Sequence, residues 1–252
     1  MSETRVAASE KRQVAPRTVL RPRDAATLII VDRAANEPRV LMGRRRPDQV
    51  FLPDTFVFPG GRVEAADRTL ARRHALPSHE IEGLKTAMRG RVTDTRASAL
   101  ALAAVRETYE EAGFIVGEPG AGVHDRAGSW SAFLAEGFNP RLQGLSFFAR
   151  AVTPPGRPRR YDTRFFIVDA SEIAHRADRV DGELLDIDWF TIDKARSLKV
   201  ASITTHVLED IAALLSRPVD APRTGPVPFY FHRHGRFERT LLQRPMACQG
   251  RE

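Results

Sequence analysis

Two short stretches, far apart in the chain, constrain its fold most. One is the turn Pro59-Gly60-Gly61. The other is Arg106-Glu107-Thr108-Tyr109-Glu110-Glu111-Ala112-Gly113-Phe114. Proline holds the residue before it extended, and paired glycine permits a tight turn or a close approach of backbone to another group. The second stretch closes a helix expected over 98–112. Asp94 or Thr95 can cap it, Leu100, Ala104, Val105, Thr108 and Ala112 share one buried stripe, and Gly113 is placed to end it. Residues three and four apart are neighbours on a helix, so Glu107, Glu110 and Glu111 lie around one side.

Three ionised carboxylates so close repel one another, and a hard divalent cation offsets that repulsion. Mg²⁺ takes oxygen ligands and keeps waters while touching phosphate. A backbone carbonyl of Gly60 or Gly61 can join the same set. Arg106 can orient a glutamate through an ion pair or contact phosphate itself.

The rest of the chain reads as a mixed α/β pattern. Strands are expected at 26–31, 39–42, 55–58, 145–152, 163–168, 185–190 and 227–231. Helices are expected at 130–136, 192–198 and 204–215, with short helical pieces in 68–90 around Pro77 and Gly83. This order fits an α+β or layered α/β/α unit better than a run of βαβ repeats. We expect one domain over 25–235, a loose lead-in at 1–24 and a tail at 236–252. Among 252 residues 42% are hydrophobic, enough for a core.

The lead-in carries six basic residues against three acids and no apolar stretch of the secretory kind. A single cysteine, Cys248, excludes an intramolecular disulfide, and a cytoplasmic location is expected. No run is long and apolar enough to span a membrane. The net charge of +7 suits nucleic acid, an anionic surface or a small polyanion. No aromatic RNA-binding pattern or zinc-finger spacing is present, and His232 with His234 lacks two further zinc ligands. A specific nucleic-acid partner is therefore not expected, and the sequence leaves the oligomeric state open.

The glycines and glutamates resemble the signature of the Nudix hydrolase family: glycine, five residues, glutamate, seven residues, then Arg-Glu-hydrophobic-x-Glu-Glu-x-Gly-hydrophobic. Arg106, Glu107, Glu110, Glu111, Gly113 and Phe114 match its second half, with Thr108 in a usually hydrophobic place. Gly61 aligns with the first glycine and Asp67 with the first glutamate. Residues 68–105 then separate Asp67 from Arg106 where the family has seven. Such a break looks like a subgroup with a long insertion inside the signature, which includes the mammalian peroxisomal coenzyme A diphosphatases. The residues at 41–46, 51–53, 56–63 and 159–166 extend the likeness, which covers roughly 26–231.

The resemblance implies a Nudix-like α/β/α sandwich with a mixed sheet and an inserted helical segment at about 68–97. It implies hydrolysis of a nucleoside diphosphate derivative with Mg²⁺, or alternatively Mn²⁺. Carried onto this chain, Glu107, Glu110, Glu111 and the carbonyl of Gly60 or Gly61 are the expected metal ligands. Glu107, Glu111 and Arg106 are the expected catalytic groups. Glu107, Glu183 or Asp186 can serve as general base, and Asp67 can support the helix through Arg106. Coenzyme A or an acyl derivative is the leading substrate. ADP-ribose, a dinucleotide, or a non-hydrolytic nucleotide- or RNA-binding module are the alternatives. Among the arginines of 44–46 and 159–164, Arg44, Arg46, Arg160 and Arg164 are the expected phosphate contacts, because arginine offers planar, multidentate contacts and alternate strand residues face one way.

Overall fold

The structure is a computed structural model and describes residues 20–86, 88–120, 128–178, 182–218 and 225–245. Most of the expected lead-in, Cys248 and the last residues of the expected tail lie outside these. In chain order the strands and helices are β1 (Arg23–Asp32), β2 (Arg39–Arg45), β3 (Phe56–Val57), β4 (Gly60–Arg62), α1 (Ala65–Leu70), α2 (Ser78–Thr86), α3 (Asp94–Ala112), β5 (Phe114–Pro119), α4 (Ser131–Ala135) and β6 (Phe138–Pro140). There follow β7 (Ser146–Val152), β8 (Tyr161–Asp169), β9 (Ile173–Arg176), β10 (Leu184–Thr191), α5 (Ile192–Ser197), α6 (Ser202–Leu215), β11 (Val227–Arg233) and β12 (Arg236–Leu242).

One mixed sheet runs β10-β2-β1-β8-β7-β11-β12, with β3 on β2 and β4 on β1. The pairs β1–β8 and β7–β11 are parallel. A second, three-stranded sheet is β6-β5-β9. Strand alternation divides the core in two. Leu28, Ile30, Phe166 and Val168 face the side of α1, α2 and α3. Ile29, Val31, Phe165 and Ile167 face Val207, Leu208 and Ile211 of α6. The result is the expected α/β/α sandwich, in the α+β class with a mixed sheet.

α3 is the central helix of its layer. Its N-cap is Thr93 rather than Asp94 or Thr95, the Thr93 hydroxyl accepting from the Arg96 N–H at 3.1 Å. Gly113 ends it at φ 74°. Residues Ala97 to Val105 are buried throughout, and five of the nine are alanine, so the helix lies close against the sheet. The residues that interrupt the signature join the same core: Ala71, Leu76, Ile81, Leu84 and Met88 pack in the cluster around α3. Glu80 of α2 is buried and accepts from the Phe147 N–H of β7 and from Arg244, each at 2.8 Å. Pulling this segment away would leave that charge without partners.

The expected tail is corrected at its beginning: 236–242 forms β12, paired with β11 from Val227↔Leu242 to Arg233↔Arg236. His234 and Gly235 both take positive φ, 50° and 77°, as a two-residue hairpin turn of the primed type requires. Among the described residues no helix is long and apolar enough to cross a membrane.

Candidate active site

Arg106 occupies the buried centre of the site, on the face of α3 turned toward β4 and α1. Its Nε and Nη2 donate to both oxygens of Asp67 at 3.0 and 3.1 Å, and Nη2 also donates to the Arg62 carbonyl at 2.9 Å. Nη1 donates to Glu107 at 3.0 Å and to Glu110 at 2.7 Å. Burial works against the Arg106 charge, but Asp67, Glu107 and Glu110 outweigh it and hold the guanidinium more firmly protonated than usual. Asp67 is fully buried and takes two more donors, the Trp130 indole N–H at 2.8 Å and the Glu64 backbone N–H at 2.7 Å. The aspartate thus reaches Arg106 from the start of α1 despite the long break between them. The shorter side chain is accommodated because α1 packs against α3.

The two glycines set the far wall. The Gly60 N–H donates to Glu111 Oε2 at 2.9 Å. A Cβ added at Gly61 would lie 2.3 Å from Glu107 Oε1, and one at Gly60 would lie 2.5 Å from the Ala26 carbonyl oxygen. A side chain at Gly60 would have to displace the β1 backbone, and one at Gly61 would displace the Glu107 carboxylate. Burial pushes the Glu107 carboxyl up to about 7, with Glu110 adding to the shift and Arg106 opposing it. Burial and the neighbouring Glu107 push Glu111 up to about 8, against the Gly60 N–H and Arg45. Glu110 is also raised, chiefly by burial. The site therefore holds more carboxylate than its own donors satisfy.

An oxygen-rich, desolvated set of this kind has the donor chemistry of a hard divalent cation. Its side chains do not form a closed cage, however. Among the described residues no group of three or more His, Cys, Asp or Glu is arranged to hold a metal, and Arg106 engages Glu107 and Glu110.

The structure places the expected arginine contacts apart from one another. Strand alternation turns Arg45, not Arg44 or Arg46, toward the glutamates. Arg45 and Glu183 are near enough to act on the Glu111 charge, in opposite directions. The Arg45 side chain donates to Gln49 at 3.0 Å and Glu183 at 3.2 Å, and its buried Nε has no partner among the described residues. Arg44 projects from the other face of β2 and is tied to Asp54 and Asp186 at 2.9 and 2.7 Å. That pairing also binds Asp186, one of the alternative bases, away from the glutamates. Arg46 is exposed and reaches Asp48 at 3.4 Å.

Arg164 is not available to a ligand as expected: it is buried and held by Asp162 at 2.8 Å. Arg160 donates to the Thr153 carbonyl at 3.0 Å and the Leu20 carbonyl at 2.6 Å. Both arginines bind protein groups because their stretch lies under the start of β1, away from α3's glutamates. The period-two pattern of β2 could have singled out Arg45, since Leu41 already marks the α3 face.

No family model matches the chain. It is 27% identical over 167 residues to the acyl-coenzyme A diphosphatase NUDT19 of Gallus gallus, covering 46% of this chain and 44% of that protein. It is 25% identical over 202 residues to putative nudix hydrolase 7 of Caenorhabditis elegans, covering 74% and 59%. The chain spans about half the length of these curated relatives. The crystal structure of a NUDIX hydrolase from Alicyclobacillus acidocaldarius matches with a TM-score of 0.59 and 29% identity, over 80% of this chain and 99% of that one. Fold, signature residues and these likenesses agree in their resemblance to Nudix hydrolases.

Proposed function

We propose that the protein hydrolyses the diphosphate bond of a nucleoside diphosphate derivative, with coenzyme A or an acyl-coenzyme A as the leading substrate. The observation that carries the reaction class is the crowding of three glutamates at the end of α3, Glu111 buried on Gly60, Glu107 against Gly61 and Glu110 half-buried beside Arg106. The interrupted signature and the similarity to an acyl-coenzyme A diphosphatase support the substrate class. Glu107, Glu110, Glu111 and the Gly60 or Gly61 carbonyl would hold Mg²⁺ or Mn²⁺, which when bound neutralises phosphate charge and acidifies water.

The chain's own groups have separable tasks. Asp67 anchors Arg106, and Arg106 in turn positions Glu107 and Glu110. Arg45, beside Glu183 and near enough to act on the Glu111 charge, supplies positive charge toward a phosphoryl oxygen. Water attacks one phosphorus, the bridging P–O bond breaks, and the second phosphate leaves with that oxygen. Glu183 is the general base we assign for the water's proton. It is exposed, beside Arg45 and within electrostatic reach of Glu111.

A substrate screen with product mass analysis tests this reading. Coenzyme A, ADP-ribose and dinucleotides would be incubated with and without Mg²⁺ or Mn²⁺. Cleavage of coenzyme A to adenosine 3′,5′-bisphosphate and a phosphopantetheine product, faster than any other cleavage, is expected. Tight nucleotide binding without turnover across the panel would overturn the hydrolase reading, and faster ADP-ribose cleavage would replace the substrate.

A further inference from the structure

Beside the glutamates lies a recess of about 510 Å³, bounded by the start of β1, the end of β4 and the start of α1. That size falls within the roughly 300–1,000 Å³ of small-molecule sites. Three arginines line it, Arg23, Arg62 and Arg68, together with Asp24 and Glu64. Arg44, Arg45, Arg96, Arg106 and Arg150, by contrast, are each tied to carboxylates. The side chains of these three are exposed and have no hydrogen bond or ion pair among the described residues.

The two acids of the recess do not answer them. Both Asp24 oxygens accept from Arg96, at 2.7 and 2.9 Å. Glu64 caps α1 in a capping-box arrangement, its backbone N–H donating to Asp67 at 2.7 Å. Three guanidinium groups around one hollow repel one another, and an anion with several oxygens relieves that repulsion through planar, forked contacts.

The recess adjoins the glutamate site through shared residues. The Arg62 carbonyl accepts from Arg106, and Arg68 follows Asp67 directly. Glu64 is close enough to raise the Glu110 carboxyl. Arg62 stands two residues from Gly60, about 7 Å along the strand, a separation of the order spanned by one ribose ring with its substituents.

We propose that this recess binds a phosphate monoester carried on the nucleotide's ribose, outside the scissile diphosphate. Such a group carries a charge of about −2 at neutral pH, which suits three unpaired arginines better than a neutral hydroxyl does. The assignment deepens the coenzyme A reading and rests on it: coenzyme A has a ribose 3′-phosphate, and ADP-ribose has none. The recess then acts as a specificity device and takes no part in the reaction itself.

The test compares binding of adenosine 3′,5′-bisphosphate and adenosine 5′-monophosphate by calorimetry. It uses the full chain and the double variant Arg23→Ala/Arg68→Ala, whose thermal melt should match the parent because both side chains are exposed and unpaired. The parent should prefer the bisphosphate by at least about tenfold, roughly one charge-assisted contact. The double variant should lose that preference and keep its affinity for the monophosphate. Equal binding of both nucleotides by the parent, or an undiminished preference in the variant, would overturn the proposal. Inorganic phosphate titrated alone separates a free ion from a substrate-borne group. A variant that loses only inorganic phosphate binding and keeps the bisphosphate preference refutes the assignment.

In turnover, coenzyme A should exceed 3′-dephospho-coenzyme A in kcat/KM through KM alone, and the double variant should erase the difference. If neither compound is cleaved, the hydrolase reading fails while the binding comparison still judges the recess.

Discussion

Two buried clusters of arginine and carboxylate lie on the α3 face of the sheet, and their charges are out of balance in opposite senses. At the C-terminal half of α3, Asp67, Glu107, Glu110 and Glu111 surround Arg106, with Arg45 nearby; burial raises the three glutamates. Toward the N-terminal end of α3, Arg96, Arg150 and Arg164 surround Asp24 and Asp162. There burial opposes ionisation of Asp162, yet Arg150 and Arg164 still hold its carboxyl below the usual range. Burial lowers Arg164 to about 10, and its Nη2 has no partner among the described residues. The arginine-rich cluster satisfies its carboxylates and so ties β1, β7, β8 and α3 together. The glutamate-rich cluster leaves its carboxylates wanting a cation.

This contrast can be broken by substitution. Arg106→Met should produce the largest effect, because it leaves fully buried Asp67 without its bidentate partner. Stability should fall by about 3–5 kcal/mol in urea denaturation, with activity lost. Arg45→Ala should cost roughly tenfold in kcat/KM, about 1.4 kcal/mol of transition-state stabilisation. Arg44→Ala, on the opposite face, should cost less than about threefold. If the two behave alike in steady-state assays, the assignment from strand alternation is wrong.

Arg164→Met removes the cation that its own cluster has in surplus. Asp162 keeps Arg150 and Asp24 keeps Arg96, so no buried carboxylate is left without a cation and the loss should stay below about 1 kcal/mol. A loss as large as that of Arg106→Met would show that the two clusters are equivalent.

The smallest effect is acid dependence at Asp162. Its folded carboxyl titrates below the ordinary 3.8, so its ionised form contributes stability above 3.8. That contribution disappears as pH falls through the folded value. Asp162→Asn should therefore be less stable than the parent at neutral pH, and the gap should narrow in acid denaturation series below 3.8.

The sheet's central strands and α3 were legible because each carries a strong periodic pattern over six or more residues. β5, β6 and β9 escaped, since β6 and β9 are short, three and four residues, and β5 follows the helix stop at once. β12 escaped because Arg236, Glu238 and Arg239 carry a polar pattern, as an exposed edge strand permits. The signature glutamates and Arg106 could be read from helical spacing alone. Asp67's pairing came from the family resemblance, and its support from Trp130 depends on a tertiary contact that no local spacing encodes. The sequence also made Arg164 look like Arg160, two basic residues near one strand's start. Only packing against Asp24 and Asp162 distinguishes the buried ion-network member from its neighbour.

The most direct test of the carboxylate excess is Mn²⁺ binding, followed by electron paramagnetic resonance at neutral pH, in the parent and in Glu111→Gln. That substitution keeps side-chain size and an oxygen facing the Gly60 N–H while removing the anionic ligand. The parent should bind Mn²⁺ and be competed by Mg²⁺, and Glu111→Gln should bind at least about tenfold more weakly, a difference of about 1.4 kcal/mol. Equal Mn²⁺ affinity in the two proteins would contradict the assignment of these buried glutamates to a cation.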